Sequence, residues 1–407
     1  MADVYAPKNE AELGGFVRDA AAGNHALEIC GLRSKRAMGR PLTPAAVVTV
    51  SKMSGVTLYE PNELVISARA GTPLHEVEAN LAQRNQELAF EPVGLSRILG
   101  GEPLAATMGA IVAMNISGPR RILRGAARDH VIGVRAVNGS GEVIRSGGRV
   151  MKNVTGVDLV RGLSGSWGTL SVLSEVTFKV LPRAPEVRTI LFLGLADEAA
   201  VGVMSAAMGA PYEVSGTIHL HAPFVARLSS ADLAPANAPL TALRIEGRAQ
   251  SIEHRVERLR SELAPFGETY YLDHRRSREF WADIRSLAFL SQEVERPLWR
   301  ISVAPSKAPL IVRALSAFFP VNAVYEWSGG LLWLELPPSS DASVTEVRRV
   351  LAEFSADSLL MRAPRAVLSA VEVFHPLPLA KMKIVQALKQ AFDPAGILNP
   401  GRMYAGV

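Results

Sequence analysis

The order of apolar and polar side chains predicts that the chain begins with a helix and continues into a strand. Asn9 and Glu12 have the spacing of a capping box. Apolar residues then recur on one helical face: Leu13, Phe16, Val17 and Ala20. A β-type run over residues 26–30 follows, and Gly39, Pro41 and Pro44 disfavour an immediate helix after it. The loop after this strand is therefore predicted to enter further strands.

Short β-type runs and a second helix are predicted next. The runs cover residues 46–51, 55–60 and 64–69. Thr72 and Pro73 then have the composition of a helix start. The apolar face of this helix is predicted to contain Leu74, Val77 and Leu81.

Residues 100–118 are unusually rich in small side chains, and a helix is predicted to open near Thr107. Small side chains allow another group to approach the backbone closely. Further strands are predicted over residues 131–138, 142–146 and 169–181. Pro182 and Pro185 then interrupt the pattern, which predicts a domain boundary at this point.

The remaining pattern mixes strands with amphipathic helices, which predicts an α+β fold. We predict three parts: residues 1–183, an α+β cap domain over 184–370, and a C-terminal segment over 371–407 that returns to the first domain. The last helix is predicted to end at Asp393 and Pro394.

Composition restricts the classes of protein that fit. The 407 residues are 48% hydrophobic and 20% charged, which is typical of a globular protein with more than one domain. The longest apolar stretch is broken by Asp197 and Glu198, so no membrane-spanning helix is expected. The first residues do not have the pattern of a secretory signal, and a cytoplasmic location is expected. Cys30 is the one cysteine, so an iron-sulfur cluster would have to belong to a partner.

The net charge of +5 favours anionic ligands, an acidic partner or an anionic membrane surface. Arginines are spread along the chain without a nucleic-acid-binding motif, so no nucleic acid is expected. The densest basic run contains Arg120, Arg121, Arg124 and Arg128. This run could hold phosphate, or it could be a solvated face or a subunit contact.

Two stretches, residues 31–35 and 100–118, could hold a diphosphate through backbone N–H groups. Neither has the spacing of the dinucleotide fingerprint that opens a helix after the first strand, and no P-loop sequence occurs. Judged on glycines alone, such stretches are more often ordinary turns.

The motifs along the chain, taken in order, are specific. They are Tyr59–Leu64, Arg69–Leu74, Ala105–Arg121, Arg128–His130, Gly147–Gly156, Phe280–Trp281, Trp299–Val303 and Phe392–Arg402. Their order resembles that of the vanillyl-alcohol-oxidase-type (PCMH-type) flavoproteins, and most closely the FAD-binding E subunit of bacterial glycolate oxidase. The resemblance implies a PCMH-type FAD-binding domain of two α/β subdomains, plus an α+β cap domain with an antiparallel sheet.

The resemblance also implies which residues contact FAD. It places two segments around the diphosphate: Gly31, Leu32, Arg33, Ser34 and Lys35, then Thr107, Met108, Gly109, Ala110, Ala113, Ser117 and Gly118. Asp129, Val131 and Glu175 are expected along the rest of the flavin nucleotide, and Asn399 is expected to close the site. The family's tethered members carry a histidine or a cysteine at positions where this chain has neither, so non-covalent FAD is expected.

Three positions depart from the family pattern. Leu32 and Ser171 stand where glycines are usual, and Val157 stands where an aromatic residue is common. A Cβ at position 32 limits positive φ and close approach of a phosphate. The other two departures concern neighbouring packing.

Oxidation of a 2-hydroxy acid at a flavin requires a cation for the carboxylate and a base for the hydroxyl proton. Arg300 is the predicted cation and His375 the predicted base, because they lie in the cap strand and near the returning segment. Each also has an ordinary structural interpretation, as an arginine in an ion pair and as a hydrogen-bonded histidine.

His219 and His221 alternate along a predicted strand and so face one side. They could suit a metal, but no acidic residue is close in sequence, and surface polar residues are the favoured interpretation. The metal-binding histidine cluster of related D-2-hydroxyacid dehydrogenases is not found, and no metal is predicted.

The sequence leaves three functions open. The first is an FAD-dependent glycolate dehydrogenase component that oxidises glycolate or D-lactate and passes electrons to an iron-sulfur partner subunit. The second is an accessory FAD subunit that relays electrons while a sister flavoprotein performs the oxidation. The third is an independent oxidoreductase acting on another small alcohol. In the first two cases the complex could lie peripherally on the cytoplasmic face of the inner membrane.

Overall fold

A computed structural model describes residues 3–99, 106–148, 158–229, 233 and 237–407. Its helices are α1 (Glu10–Ala22), α2 (Leu74–Ala82), α3 (Met108–Met114), α4 (Arg121–Arg124), α5 (Ala127–His130), α6 (Leu159–Leu163), α7 (Asp197–Gly209), α8 (Ala222–Val225), α9 (Ala249–Leu263), α10 (His274–Ser286), α11 (Ala308–Ser316), α12 (Val344–Phe354), α13 (Arg365–Ala370) and α14 (Leu379–Phe392). Its strands are β1 (Asp3–Tyr5), β2 (Leu27–Cys30), β3 (Ala46–Thr49), β4 (Val56–Glu60), β5 (Val65–Arg69), β6 (Gln86–Glu87), β7 (Val131–Asn138), β8 (Val143–Gly147), β9 (Ser171–Lys179), β10 (Leu181–Pro182), β11 (Glu186–Leu193), β12 (Val214–Leu220), β13 (Leu240–Gly247), β14 (Tyr270–Leu272), β15 (Leu298–Ser302), β16 (Asn322–Glu326), β17 (Leu331–Glu335) and β18 (Asp357–Arg362).

Two sheets of different kinds form the first part of the chain. A parallel sheet has the strand order β1-β3-β2, and an antiparallel sheet has the order β4-β5-β9-β7-β8. The C-terminal segment extends the parallel sheet, since the Leu27 amide donates to Ile397 O and the Asn399 amide donates to Leu27 O. One apolar core joins both sheets to α1, α2 and α3. The segment after α14 therefore returns to the first part of the fold.

The second part is built on one antiparallel sheet with the order β14-β11-β13-β12-β16-β17-β15-β18. Alternate residues of its strands face opposite sides. In β15, Trp299 and Ile301 pack with α7, α9, α11 and α12 in one core, while Arg300 and Ser302 face the first part of the chain. The sheet therefore presents one helix-covered face and one face toward the first part.

Buried ion pairs connect the two parts. Arg120 Nε donates to Glu246 Oε2 at 2.8 Å, and Arg244 donates to both carboxylate oxygens of Glu91 at 2.9 and 2.7 Å. Arg120 is 7% exposed, so within the basic run it is neither a solvated residue nor a free phosphate ligand. Arg120 therefore links the segment that precedes β7 to strand β13.

The α+β fold class is confirmed by this architecture. Most predicted elements form close to their expected bounds: the Asn9 side chain caps α1, α3 opens after Thr107, and β7 covers residues 131–138. Residues 149–156 of the predicted motif Gly147–Gly156 and the departure at Val157 lie outside the described residues. Among the residues that the structure describes, every helix is too short or too polar to span a lipid bilayer.

Candidate functional site

A cavity in the first part of the chain brings together the two predicted phosphate segments. Predicted residues on its wall are Gly31, Leu32, Arg33, Ser34, Lys35, Thr107, Gly109, Ala110, Ala113 and Asn399. We call it the first cavity. Residues that the sequence analysis had not assigned to the site also line it: Cys30, Met38, Met114, Trp167, Ser171 and Arg402.

The loop after β2 supplies unpaired backbone donors to this cavity. The amides of residues 32–35 donate to no other described residue, whereas those of Arg36 and Met38 donate to Arg33 O and Lys35 O. A run of adjacent free N–H groups in a turn is a typical anion-binding arrangement. The left-handed residue is Arg33, with a φ of 63°. Leu32 therefore needs no positive φ, and its departure from glycine does not strain the loop.

Lys35 adds a positive charge to the same loop. Its side chain is buried, and the nearest polar partner of Nζ is Ser34 Oγ at 3.5 Å. Burial lowers the pKa of Lys35 to about 8. An ammonium group that is buried without a counter-ion is costly unless an anion binds beside it.

Close packing, rather than free amides, is what the second segment contributes. The Thr107 side chain accepts the Ala110 amide and caps α3, and a Cβ on Gly31 would overlap that threonine hydroxyl. The amides of Met108 and Gly109 donate to Thr72 O and Ala70 O. The free donors for an anion therefore come from the loop after β2, while the second segment forms a tight wall opposite it.

Two side chains on the wall have different states. Ser171 Oγ is buried and has no hydrogen-bond partner among the described residues. Asn399 is fully engaged: its Oδ1 accepts the Ile29 amide and its Nδ2 donates to Trp167 O, each at 2.8 Å. Asn399 therefore fixes the cavity wall, whereas Ser171 keeps a free hydroxyl for a ligand.

A second cavity of about 610 Å³ lies between the first part of the chain and the antiparallel sheet of the second. It shares Met38, Met114 and Trp167 with the first cavity. Its remaining wall includes Asn115, Ser117, Arg121, Arg128, Arg300, Ser302, Trp327, Trp333, Asp357, Leu359 and Phe374. The two cavities are therefore neighbours, and an elongated ligand could occupy both.

Arg300 is a charged group without a partner in the second cavity. The structure gives its guanidinium no hydrogen bond and no ion pair within the described residues. It lies over the indole of Trp327, 5.2 Å from the ring centre, and 6.0 Å from that of Trp333. Burial lowers the pKa of Arg300 to about 10, so it remains a cation at neutral pH. The ordinary ion pair that was the alternative interpretation is therefore not formed with any residue in the described ranges.

His375 lies beside the second cavity rather than on its wall. Its Nε2 is 3.8 Å from Asp357 Oδ1, and its Nδ1 is 3.5 Å from Ser358 Oγ. Phe374 and Asp357 line the cavity themselves. The predicted base is therefore separated from the cavity by one layer of residues.

His219 and His221 belong to a buried hydrogen-bond network, and their interpretation as surface residues was wrong. His219 is fully buried, and both rings contact Asp197, which lies on α7 and so is distant in sequence. Burial tends to raise the pKa of Asp197, but the nearby ring of His219 and the hydrogen bonds from His221 and Tyr325 lower it far below its usual range.

The geometry of this network fixes a histidine tautomer. The Ala323 amide donates to His221 Nδ1 at 3.2 Å, so that nitrogen carries no proton. His221 Nε2 then carries the proton and donates to Asp197 Oδ1 at 2.9 Å. A metal ion would need the unprotonated Nε2, so the arrangement favours a hydrogen-bond network.

The remaining predicted site residues do not line the first cavity. Met108 and Val131 are in the apolar core, and Glu175 lies opposite Arg69 and Arg135 in the antiparallel sheet. Asp129 accepts the Ala126 amide. Ser117 lines the second cavity, and the Gly118 amide donates to Phe90 O.

The residues of the first cavity fit a bound dinucleotide. Four amides without a partner among the described residues, the Lys35 ammonium, which has only a 3.5 Å contact to Ser34 Oγ there, and the Ser171 hydroxyl offer donors to an anionic, polar ligand. The sequence signals for Ser171 and Trp167 were weak, because a single serine or tryptophan is compatible with many structural roles.

Comparisons with known proteins identify similar FAD-binding proteins. Residues 2–147 match the family described as FAD binding domain. The chain is 33% identical over 389 residues to glycolate oxidase subunit GlcE of Escherichia coli (strain K12), covering 96% of this chain and 95% of that protein. It is 26% identical over 324 residues to glycolate oxidase subunit GlcD of Bacillus subtilis (strain 168), covering 74% and 68%.

A solved structure shares the fold. The 4-ethylphenol oxidase from Gulosibacter chungangensis, in its isoeugenol complex, superposes with a TM-score of 0.72 at 14% identity, covering 99% of this chain and 89% of that one. The sequence match to the E subunit spans nearly the full length of both chains, so it extends the assignment beyond the first domain. The chain therefore belongs to the PCMH-type family of FAD-binding oxidoreductases, together with the E subunit of glycolate oxidase.

Proposed function

We propose that the chain is the FAD-binding component of a glycolate oxidase, oxidising glycolate or a related 2-hydroxy acid such as D-lactate to the 2-oxo acid. The observation that carries this proposal is the unpaired Arg300 guanidinium in a cavity that adjoins the nucleotide cavity. A carboxylate is the natural partner of such a guanidinium, because the two can form a charge-assisted, bidentate pair. The names of the two glycolate oxidase relatives support the same substrate class.

The residues proposed to hold FAD are those of the first cavity. The amides of residues 32–35 and the Lys35 ammonium bind the diphosphate, and Ser171 donates to a polar atom of the nucleotide. Thr107 and Gly109 keep the opposite wall close, and Asn399 fixes it. The positions at which tethered family members carry a histidine or a cysteine hold neither residue in this chain, so the flavin is held non-covalently in this proposal.

The chemistry of the second cavity divides between binding and proton transfer. A bound flavin would supply the acceptor for the two electrons that leave the alcohol carbon. Arg300 holds the substrate carboxylate and so orients the molecule, and Trp327 and Trp333 exclude water from the guanidinium. The hydroxyl proton is proposed to reach His375 through Asp357, which lines the cavity and lies 3.8 Å from His375 Nε2.

The proposed assembly is a complex of several subunits. The relatives are named as subunits, which supports a multi-subunit assembly for this chain. The sister FAD subunit, the iron-sulfur subunit and a peripheral position on the inner membrane are further parts of the proposal. They can be identified by purifying the chain from its native source and analysing what co-elutes.

The test is anaerobic reduction of the purified, FAD-loaded chain by glycolate or D-lactate. We expect bleaching of the flavin absorbance by at least one of them, and Arg300→Ala should raise the KM about 10- to 100-fold, since a hydrogen bond to a charged group is lost. Arg300→Lys should lie between, because it keeps the charge and loses the planar fork. Arg313→Ala, an exposed ion-pair residue on α11, is the control.

The accessory-subunit alternative predicts a different result. If a sister flavoprotein performs the oxidation, neither acid reduces the isolated chain, and reduction occurs only when the sister subunit is added. Binding of FAD is common to both, so failure to bind FAD would contradict both.

A further inference from the structure

Glu326 is a buried carboxyl group next to the second cavity. It ends β16 and is 2% exposed. Its Oε2 accepts the Trp333 Nε1 proton at 2.7 Å, whereas its Oε1 is buried without a hydrogen-bond partner among the described residues. One carboxyl oxygen, Oε2, therefore accepts a hydrogen bond, whereas Oε1 has no donor among the described residues.

The register of the sheet places Glu326 on the same face as Arg300. Arg300 in β15 is opposite Trp333 in β17, and Trp333 is opposite Val324 in β16. Glu326 is two residues along β16 from Val324, so its side chain points to the same side. The guanidinium and the carboxyl group attract one another electrostatically without forming an ion pair. The indole of Trp333, which contacts both groups, is the link between them.

Other charged groups around this pair are engaged elsewhere or lie on the cavity wall. Glu91, in the first part of the chain, raises the pKa of Glu326, and Arg244, in β13, lowers it. These two residues also form an ion pair with each other at 2.7 Å. The positive charge of Arg121, on α4, lowers the pKa of Arg300. The second cavity is also lined by Arg128 and by Asp357, which contacts His375.

We propose that Glu326 is a positioning residue of the carboxylate site, which holds Trp333 against Arg300 and takes up one proton from solvent when a carboxylate binds. This inference rests on the proposed function, because it assumes that the carboxylate binds Arg300. A bound carboxylate brings a second negative charge close to Glu326. Both carboxylates are then attracted to the same Arg300 guanidinium. Two carboxylates near one buried cation favour protonation of one of them. The proton binds at the free Oε1 and returns to solvent when the ligand leaves.

The pH dependence follows from the state of the free site. Burial is the main reason that the pKa of Glu326 is raised, to about 7, with Glu91 acting in the same direction and Trp333, Arg300 and Arg244 opposing. Below that pKa the group is already neutral and a carboxylate binds at full affinity. Above it, each binding event must first protonate Glu326, so affinity falls by up to about tenfold per pH unit until the pKa of the complex is reached.

The test uses oxamate, a monocarboxylate without an oxidisable hydroxyl, and the FAD-loaded full-length protein. Isothermal titration calorimetry from pH 6.5 to 8.5 gives the Kd, and repetition in phosphate and Tris buffers gives the number of protons taken up. In the wild type we expect the Kd to rise about tenfold or more across this range and proton uptake to approach one at the upper end. Glu326→Gln, whose amide oxygen can still accept the Trp333 proton, should show a Kd that changes less than twofold and almost no proton uptake.

The controls separate this inference from the proposed function. Glu353→Gln, at an exposed glutamate on α12, should behave as the wild type. If Arg300→Ala binds oxamate as tightly as the wild type, the carboxylate site itself is wrong. If Arg300→Ala loses binding but Glu326→Gln keeps the wild-type slope and proton uptake, only the role of Glu326 is refuted. Should Glu326→Gln fail to fold, absence of proton uptake in the wild type at pH 8.5 would be enough to refute it.

Discussion

Lys35 is expected to increase the affinity for FAD and to lower the stability of the FAD-free protein. Its buried ammonium group has a lowered pKa of about 8 and one weak polar neighbour, Ser34. We expect Lys35→Met to raise the thermal stability of the FAD-free chain, because an uncompensated buried charge is removed. The same change should raise the Kd for FAD about 10- to 100-fold, because a charge-assisted contact to the diphosphate is lost.

Opposite shifts of these two quantities distinguish a ligand-binding lysine from a structural one. Thermal denaturation of the FAD-free chain and flavin fluorescence titration measure them. Wild-type affinity for FAD should also fall as the pH rises above about 8. Above this pH, Lys35 is mostly neutral in the FAD-free protein and must be protonated for its charge to bind the phosphates. Lys383→Met, on the exposed side of α14, should change neither quantity. A less stable Lys35→Met variant with unchanged FAD affinity would contradict this role.

Single residues were predictable from sequence where local pattern determines their direction. Arg300 and Ser302 alternate with apolar neighbours in β15, so their common face could be predicted before the structure was known. The environment of His219 could not, because its partner Asp197 comes from α7 and the two meet only when the sheet and helix pack. Glu326 was missed for the same reason: its burial and its contact with Trp333 depend on tertiary structure.

Helices and strands were predicted more reliably than the sheets that contain them. The capping side chain of Asn9 and the alternation of β7 are local signals, and both elements formed as expected. The strand order of the large sheet is not local, since β12 pairs with both β13 and β16, which are separated by several helices. Hydrophobic alternation identifies a strand face but not the neighbouring strand.

The contact between α3 and β5 is an element-scale feature that can be tested through Gly109. A Cβ at this position would lie 2.8 Å from Ala70 Cβ and 3.1 Å from Ala70 O. Because the second of these atoms is backbone, the helix itself must move away. We expect Gly109→Ala to lower the free energy of unfolding by about 1–3 kcal/mol and to weaken FAD binding.

Urea denaturation and FAD titration measure the two effects of Gly109→Ala. Gly162→Ala is the matched control, because Gly162 also lies in a short helix, α6, and nothing is within 4 Å of its Cβ position. It should leave FAD binding unchanged and stability equal or slightly higher, as alanine favours helix. Equal behaviour of the two alanine variants would show that the α3–β5 approach does not limit the fold.

The whole molecule depends on the ion-pair network that joins its two parts. Glu91 lies in the first part and Arg244 in β13, while Arg120 and Glu246 form the reciprocal pair. In sequence these arginines are ordinary members of a basic chain, and the pairs Arg120–Glu246 and Arg244–Glu91 each join residues more than a hundred positions apart. The network could not be predicted from local sequence, because its ion pairs form only when both parts of the chain are folded and packed against each other.

The network predicts acid sensitivity with a definite sign. Burial alone would raise the pKa of Glu246, but Arg244 and Arg120 lower it to about 2, and the same two arginines lower the pKa of Glu91. In the unfolded chain these groups titrate near the ordinary glutamate pKa of 4.5. A group with a depressed folded pKa contributes stability above its unfolded pKa, and this contribution is lost as the pH falls toward the folded value.

We therefore expect the free energy of unfolding, measured with urea, to fall steeply in the wild type as the pH is lowered from about 5 to about 2. Glu246→Gln should cost about 3–5 kcal/mol at pH 7, because Arg120 and Arg244 then remain buried with one carboxylate fewer. Its pH dependence over the same window should be shallower, since one of the titrating groups is gone. Glu353→Gln controls for the loss of any glutamate, and should keep both the stability and the slope of the wild type. A Glu246→Gln protein with an unchanged slope would mean that acid unfolding begins elsewhere, and that the two parts are held together mainly by the apolar contacts between them.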